Sequence, residues 1–254
     1  MSRYDCYALS EKGAGRKSSG DSMATDARMG IFAVADGVSG HAGGPQASRA
    51  AVDSFMGTVR GLSRESRADA AELERAVGAA DRDVRAVGAA DPSLAGLGTT
   101  LSAVVLSGGI GTLVHAGDSR VYQFSAGALR QLTRDHTLLA ELIAHNLLTA
   151  EQAKTHPLRH MLARSLGGRD AVEADIADVS VQPGDWLILA TDGLAEMLSE
   201  ERLRELLRGN SAGSAQKLCE AIMEAAQARP LKDDTTIVAV RFLGGRSSVR
   251  MRKP

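Results

Sequence analysis

The sequence predicts an α+β fold, with two central antiparallel β-sheets forming a sandwich flanked by antiparallel helix pairs. Between residues 98 and 133, apolar strand-like runs alternate with turns too short for a parallel crossover. Segments with helical apolar spacing precede and follow these runs, which suits sheets inside and helices outside. Of the 254 residues 44% are apolar and 24% charged, enough for a buried core and unlike a disordered chain.

Ile31–Ala35 (IFAVA), closed by Asp36-Gly37, is predicted to be a buried strand. After the glycine-rich turn GVSGHAGG, Pro45 suits a first helical position. Val52, Phe55, Met56 and Val59 then share one helical face. Leu73, Val77, Ala80, Val84 and Val87 repeat that spacing in a second helix. The next strands turn at Ser107-Gly108-Gly109, at Gly117-Asp118 and at Ser125-Ala126-Gly127, and each turn predicts pairing between antiparallel neighbours. Asp135 and His136 are expected to end a strand and cap the following helix, and His115 is expected to be a hydrogen-bonded core residue. A mainly helical stretch at 137–166 precedes strands near 173–180 and 185–191. Ser199 is a predicted N-cap for a helix bearing Leu203, Leu206 and Leu207. Ala215, Leu218, Cys219, Ile222 and Met223 mark another helix, and TTIVAVRF is the closing strand. Residues 1–243 are taken as one domain. The basic tail 244–254 is expected to be disordered.

Thirty basic residues against 31 acidic leave a net charge of -1, which supports neither a nucleic-acid nor a membrane-surface role. No apolar run nears the roughly 18 residues that span a bilayer, and the opening MSRYDCYALS does not read as a signal peptide. Cys6 and Cys219 are far apart and outside any paired motif, so a disulfide or thiolate metal site is not expected and the cytoplasm is the expected compartment.

Asp36, Asp118 and Asp192 each follow an apolar strand, and Asp233-Asp234 opens the last one. A turn explains any single Asp-Gly; the whole set points to carboxylates converging on one rim. Converging carboxylates repel one another unless cations intervene. Hard oxygen donors without a histidine or thiolate cluster favour Mg²⁺ or Mn²⁺. Gly37, Gly117 and Gly193 beside three of them admit close approach of backbone carbonyls or water.

The ordered motifs VADGVSGH, LGTTL, AGDSR, LTRDHT, LATDGL and DDTTIV, across about residues 5–242, resemble the bacterial branch of the metal-dependent type 2C (PPM) protein phosphatases. That resemblance implies a sandwich of two antiparallel sheets between helix pairs. It implies a protein serine/threonine phosphatase holding two Mn²⁺ or Mg²⁺ ions, with direct attack of a metal-bridging water, opposing a bacterial Ser/Thr kinase. Its partners would be that cognate kinase and phosphorylated proteins. Asp36 would bridge two ions, with the Gly37 carbonyl on one; Asp192 and Asp233 would hold the other. Asp118 would help hold a third, weaker ion. Asp234 stands where the family more often has asparagine, and a one-residue shift would exchange it with Asp233. Asp233 is preferred because Thr236 then keeps the family's threonine spacing.

Within RKSSGDS, Arg16 looks like the family's phosphate-binding arginine and Asp21 like a support for metal-bound water. Gly20 occupies a position that is usually glutamate or glutamine. Val38 follows Asp-Gly where animal members carry histidine; His41 is a candidate general acid or, equally, orders its own turn. Residues 137–166 resemble the flap that bacterial members place beside the active site. A regulator that binds phosphoproteins without turnover is the alternative reading, as is a phosphatase acting on a sigma-factor regulator. A parallel aspartyl-phosphate hydrolase conflicts with the hairpins.

Overall fold

The computed structural model describes residues 3–38, 43–94, 96–168 and 170–244. His41 and the tail beyond Gly244 lie outside them. In chain order the elements are β1 (Tyr4–Glu11), β2 (Asp21–Asp26), β3 (Ile31–Asp36), α1 (Gly44–Gly61), α2 (Ala70–Ala90), β4 (Leu101–Ser107) and β5 (Ile110–Ala116). Then come β6 (Arg120–Ser125), β7 (Ala128–Gln131), α3 (Leu138–Ala144), α4 (Ala150–Lys154), β8 (Asp175–Ser180) and β9 (Trp186–Ala190). The last are α5 (Asp192–Met197), α6 (Glu200–Gly209), α7 (Ala215–Ala226) and β10 (Thr235–Phe242).

Two five-stranded sheets form, in the orders β1-β10-β9-β6-β7 and β2-β3-β4-β5-β8, with every pairing antiparallel. The period-two alternation of strands sorts side chains into layers. On β3, Ile31, Ala33 and Ala35 face Phe55, Val59, Leu73 and Val84 of α1 and α2. Phe32 and Val34 turn the other way and meet Leu189, Val238 and Val240 between the sheets. Trp186, Ile188 and Ala190 of β9 lie under Leu203, Leu207, Leu218 and Ile222 of α6 and α7. Both faces of the central strands are therefore covered, which is why β3, β9 and β10 read as unbroken apolar runs.

The predicted hairpins hold at β4–β5 and at β6–β7. The predicted β5–β6 hairpin does not form: β5 belongs to one sheet and β6 to the other, so residues 117–119 carry the chain between sheets. Gly117, at φ 111°, takes a backbone turn that a side chain would resist, with Thr100 packed where its Cβ would sit. Asp69, Thr137, Thr149, Ser199 and Ser214 cap helix N-termini by accepting backbone N–H groups. Thr137 takes the capping role expected of Asp135 and His136. Asp135 instead holds Arg120 at 2.6 Å, and His136 accepts from the Gly117 N–H. His115 is a core histidine as expected, bonded to the Ser102 hydroxyl and the Arg134 carbonyl.

Candidate active site

The proposed ligands sit where both sheets end on the same side. Asp21 opens β2 directly opposite Asp36, the last residue of β3. Like charges so paired repel, and burial pushes both carboxyls up. Asp21 rises to about 7, with Asp234 and Asp192 adding to the shift. Asp36 rises well above its usual range because it is buried and faces Asp21, Asp192 and Asp118. Its backbone N–H bonds Thr100 Oγ1 at 2.8 Å, and its carbonyl accepts from Thr99 and Thr100, so the strand end is fixed.

Asp118, on the crossing between sheets, is pushed up to about 8 by burial, then by Asp192 and Asp135. Asp192 starts α5. Burial works upward on it as well, but bonds from His160 and Asp36 outweigh that and hold it ionised.

Asp36, Asp118, Asp192 and Asp233 line one cavity of about 930 Å³ with Thr100, Glu196 and the flap residues Arg159 and His160. The adjacent acids Asp233 and Asp234 separate in role. Asp234 is buried, and its carboxylate accepts from Gly13 N–H at 2.8 Å, Gly20 N–H at 2.6 Å and Arg16 Nη1 at 2.7 Å. It fastens the β1–β2 loop to the start of β10. Asp233 remains a quarter exposed on the cavity wall, paired with Arg16 Nη2 at 2.5 Å. Arg16 lies between the two acids and does not line the cavity.

Several residues that complete this arrangement were not singled out from the sequence. Thr191 Oγ1 donates to Asp21 at 2.8 Å and accepts from Thr236 N–H, linking the sheets. His160 lies 3.7 Å from Asp192 and 3.2 Å from Glu196, so the flap touches the aspartates through it. Its only sequence signal was its place within the flap-like stretch. The flap's ends are tied down by bridges at Thr137–Leu162 and Thr99–Leu166. Only its parts at 138–144 and 150–154 are helical.

The residues present suit hard divalent cations. One carboxylate oxygen each of Asp21 and Asp192 is buried without a partner among the described residues, a cost that a cation or its water would relieve. A Cβ on Gly37 would lie 2.1 Å from the Gly44 carbonyl, so only glycine keeps the backbone this close to α1. Among the described residues no three acid, imidazole or thiol groups close into a cage around an ion.

The chain is similar to known proteins in both sequence and fold. Serine/threonine protein phosphatase PstP of Mycobacterium tuberculosis is 34% identical over 233 residues, covering 91% of this chain. The chain spans only 43% of that relative's length. The Listeria monocytogenes serine/threonine phosphatase stp is 31% identical over 83% of both chains. The solved PstP catalytic domain in complex with two manganese ions superposes with a TM-score of 0.82 at 30% identity, over 94% of this chain and 97% of its own. With the protein phosphatase 2C profile also matching residues 18–228, this chain belongs to the protein phosphatase 2C family.

Proposed function

We propose that this chain is a metal-dependent protein phosphatase that hydrolyses phosphoserine and phosphothreonine by direct attack of water, without a phosphoenzyme. The observation that carries the reading is the convergence of Asp36, Asp118, Asp192 and Asp233 on one cavity, in a family whose PstP member is described with two manganese ions. Asp36 and the Gly37 carbonyl would hold one of two Mn²⁺ or Mg²⁺ ions. Asp36, Asp192 and Asp233 would hold the other, and Asp118 would serve a third, weaker site. When bound, the ions supply an acidified water and neutralise charge on the phosphoryl oxygens.

The protein's own contribution is placement. The Thr99 and Thr100 bonds fix Asp36, while Thr191 fixes Asp21, which would orient water at the ions. Arg16 offers a planar fork suited to phosphate. An ion on Asp233 would compete for the carboxylate that Arg16 now holds, leaving guanidinium donors for the phosphoryl group. His41, the candidate general acid, lies outside the described residues. The substrates would be phosphorylated proteins made by a cognate Ser/Thr kinase. Among the described residues no helix is long and apolar enough to cross a membrane. With both cysteines free, the cytoplasm is the compartment we infer.

The deciding experiment is hydrolysis of a phosphothreonine peptide and a chromogenic phosphate ester, with Mn²⁺ and with chelator. Turnover is expected with Mn²⁺, lost in chelator and restored by adding the metal back. Turnover in chelator after dialysis would overturn the metal reading. Tight phosphopeptide binding with no turnover in Mn²⁺ would make the chain a regulator instead.

Gly20 offers a second test. Its backbone is not in the left-handed region, and a Cβ there would lie 3.3 Å from the Gly37 carbonyl and 3.4 Å from Asp234. A side chain at 20 therefore starts beside the proposed ion. Gly20→Glu is expected to lower the Mn²⁺ needed for half-activation by about tenfold, the low end for groups acting through bound ligands. Gly20→Ala controls for crowding; equal titrations for both variants and wild type would remove residue 20 from the site.

A further inference from the structure

The end of the sandwich opposite the aspartates holds a second cavity, of about 670 Å³, and its chemistry is the reverse. Arg3, Arg28, Arg64 and Arg67 line it, and no acidic residue does. It is framed by the β2–β3 turn, the β4–β5 turn and the α1–α2 connection. Counting from Ile31 to Asp36 along β3, it lies roughly 17 Å from the aspartate rim, at ~3.3 Å per residue. In a chain whose net charge is -1, four arginines around one hollow are a local excess.

Among the described residues none of the four forms an ion pair. The nearby Asp26 is taken by Arg60 and the Met29 N–H, and Asp69 caps α2. Glu65 and Asp69 line a neighbouring hollow that shares Arg64. Arg67 spends one nitrogen on the Leu62 carbonyl, while its buried Nε has no partner. Buried guanidinium nitrogens are ordinarily paired, and an anion in the cavity would pair this one. The floor is fixed: Tyr4 donates its hydroxyl to the Gly108 carbonyl at 2.8 Å, and Arg3 Nη1 would be 3.1 Å from a Cβ on Gly108. Leu243 N–H bonds the Arg3 carbonyl, so β10 ends here too.

We propose that this arginine-lined cavity is a non-catalytic binding site for a phosphate dianion, free or borne on a side chain, the chemistry that planar guanidinium forks match best. Its volume lies within the ~300–1,000 Å³ typical of ligand sites and leaves room for the residue that bears the phosphate. The shared chemistry has two sources, a phosphorylated segment of a protein or free inorganic phosphate. A phosphorylated segment held here would keep a multiply phosphorylated protein near the aspartate rim. That consequence rests on the phosphatase reading; the binding site does not.

The test is amide NMR of the ¹⁵N-labelled full chain in Mg²⁺, titrated with inorganic phosphate, with a peptide bearing a phosphonate analogue of phosphothreonine, and with the same peptide carrying glutamate. Shifts are expected at Gly30 and Gly108, separate from any at Gly37 and Gly193. Arg28→Ala/Arg64→Ala, two exposed positions, is expected to weaken binding at Gly30 and Gly108 at least tenfold while leaving hydrolysis of a small ester unchanged. Tighter binding of the phosphonate peptide than of phosphate assigns the site to phosphoproteins; the reverse order assigns it to free phosphate. No shift at Gly30 and Gly108 with either probe, equal shifts in the double variant, or equal affinity for the glutamate peptide would each overturn the proposal. Because binding is read at these amides, a chain without turnover could still bind there, and an active phosphatase could fail to.

Discussion

Asp36→Asn is expected to lower metal-stimulated turnover by more than about a hundredfold, beyond the range for groups that merely support a ligand, while making the chelated protein more stable. Asp36 is the one carboxylate that faces Asp21, Asp118 and Asp192 together. Its loss removes the proposed bridge between the ions, and thus the charge compensation that phosphoryl transfer needs. The stability gain follows from linkage. Asp21 and Asp118 have folded pKa values of about 7 and 8, well above the usual carboxylate range. Groups raised in this way contribute stability below the unfolded pKa, and that contribution is lost as pH rises through 7–8. At neutral pH and without cations, the aspartate cluster therefore weighs against the folded state. An amide at 36 cannot ionise, so it adds no charge to that cluster as pH rises. The gain should appear as a higher Tm for the variant in chelator, growing as pH rises. Thermal melts in chelator from pH 5 to 8 should fall more steeply for wild type than for Asp36→Asn. Parallel melts, or undiminished turnover, would contradict the assignment.

Asp234→Ala is expected to act in the opposite sense, on the fold first. The carboxylate serves two buried backbone N–H groups and one guanidinium. Removing it strands those donors, at ~1–3 kcal/mol for a buried unsatisfied group. A total near 3 kcal/mol corresponds to about 6–12 °C in Tm. The Gly13–Gly20 loop that carries Arg16 would loosen, so KM for phosphorylated peptide should rise as well. Asp234→Asn keeps an acceptor oxygen and should cost less than half as much. If alanine and asparagine melt alike with the wild type, the loop is not held by this side chain.

Those two acids also mark what a sequence reveals. Apolar strands ending in acid were legible because central strands of a sandwich are buried on both faces, and their rims stand out by contrast. Threonine spacing favoured Asp233 over Asp234; the structure adds the reason the neighbours differ, since one is enclosed by three donors and the other faces the cavity. β1 and β2 were not recognised because nearly all their residues are only half buried, leaving no apolar run. The β5–β6 error has a different origin. A Gly-Asp turn announces that the chain reverses, but sheet membership depends on contacts far along the sequence. His160 was missed for a similar reason: only the folded-back flap brings it to Asp192 and Glu196.

The crossing at residues 117–119 has a mechanical consequence. Asp21 and Asp36 belong to one sheet, Asp192 and Asp233 to strand ends of the other, and Asp118 to the hinge between them. The spacing of these oxygens thus depends on how one sheet packs on the other through Val34, Leu189 and Val238. Divalent ions with strict oxygen distances tolerate little slippage. If these oxygens hold the ions proposed above, a methylene trimmed from that packing would register first as weaker metal binding, well away from the aspartates themselves.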